Sequence, residues 1–221
     1  MMAQSLSSAR ESIPRPRIQT LSDMIFGLAL SIGAVTLLSQ KPESIIAVTY
    51  SMLSFGFAFL VLSLVWFRYS RVMSVLPVET SKMVGANMVL LFLVSIEPYL
   101  FNLLTASAYN PAPGQLASGS TTTLYALDLG GLMLILAIFM HELTVEDRRL
   151  IPRELLGGYR LTMYTTLIAA LVFFLSVLPI FWNVVIIASP TIPLRYVLWN
   201  GVWVANFGRR LDARMTSRGR R

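Results

Sequence analysis

RIQTLSDMIFGLALSIGAVTLL, residues 17 to 38, decides how this chain folds. Its second half, Met24 to Leu38, is apolar almost without interruption. A soluble helix instead confines its apolar residues to one stripe and keeps charge on the opposite face. A basic, proline-broken leader carrying Arg10, Arg15 and Arg17 precedes the run, and a Ser22-Asp23 pair stands at its mouth. This pattern predicts the first span of a membrane protein. A secretory signal peptide shares the basic start, but Leu38-Ser39-Gln40-Lys41 offers no small-residue cleavage site.

Working outward, the composition agrees. The chain has 221 residues, 55% apolar and 13% charged, with a mean hydropathy of +0.66. A soluble domain carries about 25% charged residues, so most of this surface is expected to face lipid. The length suits one membrane domain (21–207) between a basic leader (1–20) and a basic tail (208–221). There is no cysteine, which excludes disulfides, thiolate metal sites and cysteine nucleophiles.

Of the 18 Lys and Arg, 16 fall in the leader, in 68–82, in 148–160 and in the tail; only Lys41 and Arg195 fall elsewhere. Positive charge gathers on the cytoplasmic side of membrane proteins. A multi-pass protein of the cell membrane with both termini cytoplasmic is therefore expected. The basic tail, beside a membrane helix, reads as lipid contact and topology rather than nucleic-acid binding.

Six spans are predicted, at about 21–39, 44–67, 83–104, 122–140, 161–187 and 194–207. The short turn Gln40-Lys41-Pro42-Glu43 makes the first two antiparallel neighbours. Residues 106–121, without Lys or Arg, form the predicted outer loop. The charged stretch His141–Arg160 forms a cytoplasmic connector, and Pro179 kinks the fifth span. An all-α polytopic bundle follows, because only helices or closed barrels satisfy backbone groups in lipid. No alternating barrel pattern and no repeat between halves are visible.

Catalytic chemistry is nearly absent. His141 is the single histidine, and His141-Glu142-Leu143-Thr144-Val145 lacks the second histidine of a zinc helix. No Gly-x-Ser-x-Gly, phosphate loop or dinucleotide fingerprint occurs. Glu142, Glu146, Asp147 and Glu154, mixed with Arg148, Arg149 and Arg153, read as a solvated face. No enzyme activity, cofactor or metal is expected.

Ionisable residues inside spans point to function by default. Asp23, Glu97 and Asp128 qualify. Asp23 also fits a helix cap; Glu97 and Asp128 fit either interfacial water contact or a negative outer vestibule that concentrates cations. Along the first span, Leu28, Ile32 and Val35 share one helical face, with Ser31 at its edge. Gly27, Ala29, Gly33 and Ala34 let another helix come close. Such a stripe by itself is core or lipid contact as readily as a pore wall. Ser31 is free to meet an ion, or it bonds back to the carbonyl of Gly27.

These residues resemble the transmembrane protein 175 family, the endosomal and lysosomal potassium channels, in its single-repeat prokaryotic branch. Its signature, an arginine and then Phe-Ser-Asp opening the first of six helices, is similar to Arg17…Leu21-Ser22-Asp23, with Leu21 in place of phenylalanine. Ile25 to Gly33 resembles the family's following apolar run. Trp66 stands where the family places a tryptophan, and Asn87…Pro98 resembles its third helix. Tyr69 and Ser70 occupy the region where the family carries a histidine.

The resemblance implies a homotetramer whose central pore forms by oligomerisation around the first helix. Leu28, Ile32 and Val35 would then form the constriction, and Ser31 would match a family threonine tied to selectivity. Arg17, Ser22, Asp23 and Trp66 would fix the helix without touching the ion. The expected function is a mainly potassium-conducting cation channel in a lipid bilayer. The alternatives are a proton or small-solute pathway through Glu97 and Asp128, or a non-conducting membrane scaffold.

Overall fold

The computed structural model describes residues 17–39, 45–76, 81–109, 118–145, 150–183, 185–188, 191–193 and 197–202. Residues 1–16 of the leader, the basic tail and residues 110–117 of the expected outer loop lie outside these residues; 17–20, 106–109 and 118–121 are helical. The order is α1 (Arg17–Ser39), α2 (Ile45–Met73), α3 (Ser81–Tyr109), α4 (Ser118–Thr144), α5 (Arg153–Leu175), α6 (Ile180–Asn183), β1 (Val185–Ala188) and β2 (Thr191–Pro193). A last helical segment covers 197–202. The fold is an all-helical membrane bundle bearing one small hairpin.

Among the described residues, α2 through α5 each contain a stretch long and apolar enough to cross a bilayer, and α1 carries a shorter apolar stretch, Gln19–Val35. The apolar runs explain the helices: in lipid the backbone must bond within its own segment. α3 continues through Pro98, although the missing amide leaves the carbonyl of Val94 without its intrahelical donor.

α4 is the buried centre. Leu129, Leu132, Leu136, Phe139 and Leu143 are inaccessible, and the helix packs against α5 on one side and α3 on the other. Two adjacent glycines make this possible. A β-carbon at Gly130 would lie 2.9 Å from the Phe174 ring of α5, and one at Gly131 would lie 2.9 Å from Leu93 of α3. α1 packs in turn on α3 and α2. A β-carbon on its Gly33 would meet Phe55 at 3.4 Å and Pro98 at 3.8 Å.

The chain's end departs from the sequence expectation. The fifth span was expected to run to Ile187 with a kink at Pro179, but α5 stops at Leu175. The amide of Ser176 bonds Val172 O at 3.0 Å, and its hydroxyl turns back to Phe173 O at 2.7 Å. That hydroxyl also receives Trp199 Nε1 at 3.0 Å, tying the terminal helical segment to the end of α5. Pro179 follows, where it costs no helical bond. Val185, Ile186 and Ile187 are β-branched and favour a strand; β1 pairs antiparallel with β2 through Val185–Pro193, Ile187–Ile192 and Ala188–Thr191, with a bulge between Val185 and Ile187. The expected Pro190–Pro193 turn is thus partly strand. Of the sixth span, 197–202 is helical.

Candidate functional site

α1 has two faces of opposite character. Ser22, Phe26 and Ala29 are buried. Met24 (68% exposed), Leu28 (59%), Ile32 (44%) and Val35 (60%) are uncovered, together with Leu21. The spacing of the exposed set is that of one helical stripe. Leu28, Ile32 and Val35 therefore lie together as the sequence indicated, and the stripe runs further, through Met24 and Leu21. The same helical spacing, carried back toward the start of α1, points to those two.

Ser31 lies on the exposed side. Its hydroxyl donates to Gly27 O at 2.8 Å, so of the two sequence-level readings the structure holds the back-bonded one. A donating hydroxyl keeps its lone pairs, but the bond fastens the oxygen to its own helix.

The buried face is pinned by polar side chains from α2 and α3. Trp66 Nε1 donates to Asp23 Oδ1 at 3.0 Å. Tyr69 donates its hydroxyl to Ser22 Oγ at 2.6 Å, and Asn87 Nδ2 reaches the same oxygen at 3.4 Å. The Phe26 and Tyr69 rings lie 5.6 Å apart. A bond to a carboxylate contributes about 1.5–3 kcal/mol and a neutral one about 1 kcal/mol. Ser22, Asp23 and Trp66 are thus brought together, and Arg17 is the first residue of α1. Tyr69 and Asn87 complete the cluster. The signal for Tyr69 was its position one turn after Trp66, which the family pattern fills with histidine; a phenol supplies the same kind of donor.

Glu97 and Asp128 do not line an open surface of the protomer. They are buried between α3 and α4, Glu97 fully and Asp128 almost so. Because α3 extends to Tyr109, Glu97 stands near the middle of its helix rather than near its outer end. Tyr125 donates to Glu97 Oε1 at 3.4 Å. Tyr125 also lines a mostly apolar cavity of about 130 Å³, together with Phe57, Phe101, Leu129 and Trp199. His141 is exposed near the end of α4. No cluster of three or more potential metal ligands occurs among the described residues.

Residues 17–98 match the family model of the endosomal/lysosomal potassium channel TMEM175. A solved lysosomal potassium-selective channel TMEM175 homolog from Chamaesiphon minutus is similar with a TM-score of 0.51 at 19% identity, over 73% of this chain and 87% of that one. A variant of the potassium channel MtTMEM175, solved with a nanobody–MBP fusion, is similar with a TM-score of 0.57 at 16% identity, over 92% of this chain and 96% of that one. This chain has the TMEM175 fold. No curated protein matches it. The TMEM175 match runs from Arg17 to Pro98, so it contains every member of the cluster behind α1: Ser22, Asp23, Trp66, Tyr69 and Asn87. It also contains the whole exposed stripe. The remainder of the TMEM175 fold, α4 onward, carries the central packing and Asp128.

Proposed function

We propose that copies of this chain assemble around α1, as a homotetramer, into a cation channel that conducts mainly potassium. The observation that carries this reading is the division of α1. One face is held by hydrogen bonds from two neighbouring helices, while the other leaves Met24, Leu28, Ile32 and Val35 uncovered. A helix positioned so firmly, with an apolar stripe left bare in the protomer, suits a stripe that meets its copies around an axis. The potassium channels of similar fold support the choice of ion.

In such an assembly Leu28 and Ile32 of each subunit form a narrow, poorly hydrated neck, with Val35 on the same face. An ion passing it sheds part of its water, which favours the larger and more weakly hydrated cation. Without a ring of carbonyl ligands the selectivity is modest. Opening requires the α1 helices to rotate or spread so that water enters. Arg17, Ser22, Asp23 and Trp66 act on the position of α1 and not on the ion. The one-sided distribution of Lys and Arg supports both termini on the cytoplasmic side of the cell membrane.

The deciding experiment is potassium flux from liposomes holding the purified protein under a potassium gradient. The wild type is expected to pass potassium. Asp23→Asn, which weakens the bond from Trp66, is expected to alter the flux while the assembly persists. A well-assembled, silent wild type would place the chain among non-conducting scaffolds. Flux that follows the proton gradient alone would assign it to proton transport.

A further inference from the structure

Glu97 and Asp128 pose a problem that the pore reading does not use. Both carboxyl groups are buried between α3 and α4. Neither oxygen of Asp128 accepts a hydrogen bond among the described residues, and neither does Oε2 of Glu97. Asp128 acts electrostatically on Glu97, and the Tyr125 hydroxyl bonds it; no Lys, Arg or His among the described residues acts on either acid. A buried carboxylate without a partner is strongly destabilising. Membrane helices retain such groups where they serve a ligand or a path.

The residues converge by helical geometry. Tyr125 and Asp128 are three apart on α4 and share a face. Tyr125 ties that face to Glu97 on α3. Hard oxygen donors of this kind suit hard cations. The pair offers Asp128 Oδ1 and Oδ2, Glu97 Oε2 and a lone pair of the Tyr125 hydroxyl. Beyond Tyr125 the apolar cavity offers no further charge. Four oxygens from three side chains are few for calcium, which takes six to eight, and carboxylate oxygens have a stronger field than carbonyls, which favours the smaller monovalent ion.

We propose that Glu97, Asp128 and Tyr125 form a sodium-binding site inside each protomer, between α3 and α4 and separate from the α1 stripe. The ion neutralises one carboxylate while the other carboxyl keeps its proton, so the occupied site carries no net charge, and it clamps the two helices together. This site stands or falls independently of conduction, because its readout is binding and not flux.

The test is thermal melting of the purified full-length protein in sodium, potassium or N-methylglucamine chloride at constant ionic strength. Trp199 reports it, its ring lying 6.0 Å from that of Tyr125. Raising sodium a hundredfold above its dissociation constant is expected to raise the wild-type melting temperature by about 5–10 °C, with potassium weaker and N-methylglucamine without effect. The double variant Glu97→Gln/Asp128→Asn is expected to lose the sodium response and to melt no lower than the wild type in sodium-free buffer. Should the double variant fail to fold, Asp128→Asn alone, which removes a charge and one acceptor oxygen, carries the same expectation of a lost sodium response. The proposal is overturned by a sodium response that survives these substitutions, or by a potassium response larger than that to sodium. It is equally overturned by a wild type that ignores sodium and follows pH alone, which would assign the pair to protons.

Discussion

Tyr69 donates its hydroxyl to Ser22 Oγ across 2.6 Å, joining the middle of the α1–α2–α3 contact at the first turns of the pore-helix candidate. Both residues are inaccessible. Removing the donor leaves Ser22 with the longer bond from Asn87. Tyr69→Phe is therefore expected to lower stability by about 1–2 kcal/mol. Differential scanning fluorimetry checks it; a variant that melts with the wild type shows that the bond contributes nothing.

The uncovered stripe makes a second prediction. If Leu28 and Ile32 line a neck, Leu28→Ala or Ile32→Ala raises single-channel conductance and weakens the preference for potassium over sodium. If they are packed core, each costs about 2–5 kcal/mol and assembly suffers. Their exposure favours the first outcome. Properly assembled variants with unchanged currents would remove these side chains from the conduction path.

Ser31 is expected to matter less than its position suggests. Its hydroxyl is held by Gly27 O at 2.8 Å, so Ser31→Ala and Ser31→Thr should leave bi-ionic potassium/sodium reversal potentials unmoved, unlike Ile32→Ala. A clear fall in potassium preference in Ser31→Ala would show that the oxygen meets the ion despite that bond.

Orientation can be read with single cysteines, since the chain has none of its own. Ser118→Cys is expected to react with a membrane-impermeant thiol reagent on intact cells, and Ser7→Cys and Ser217→Cys only after permeabilisation. The motive is the one-sided placement of Lys and Arg. The reverse labelling pattern would invert the topology.

The α1 stripe was legible in sequence because helical spacing converts directly into a shared face: Leu28, Ile32 and Val35 needed no tertiary information. The bond between Trp66 and Asp23 joins two residues that the family pattern had placed together. Tyr69 was harder, because the pattern asks for histidine and only the structure shows the phenol donating to Ser22 Oγ. Glu97 looked peripheral because the apolar run fades after Leu104; the helix continues to Tyr109 and puts that residue near the middle of its length. Val185, Ile186 and Ile187 are as apolar as any span, so hydropathy alone extended the fifth helix over them. Their β-branching and the two flanking prolines, Pro179 and Pro190, decide for a hairpin instead.

The side-chain bonds from Trp66, Tyr69 and Asn87 reach α1 at Ser22 and Asp23, while farther along the small Gly33 brings Phe55 and Pro98 close. A helix turned about the bonds at Ser22 and Asp23 would act as a lever with its pivot near one end. Val35 lies about 20 Å along the axis from Ser22 at 1.5 Å per residue, so a swing of about 10° carries it roughly 3 Å sideways, about the width of a water molecule. In the proposed assembly, so small an angle repeated in every copy would separate a dry neck from a wet one.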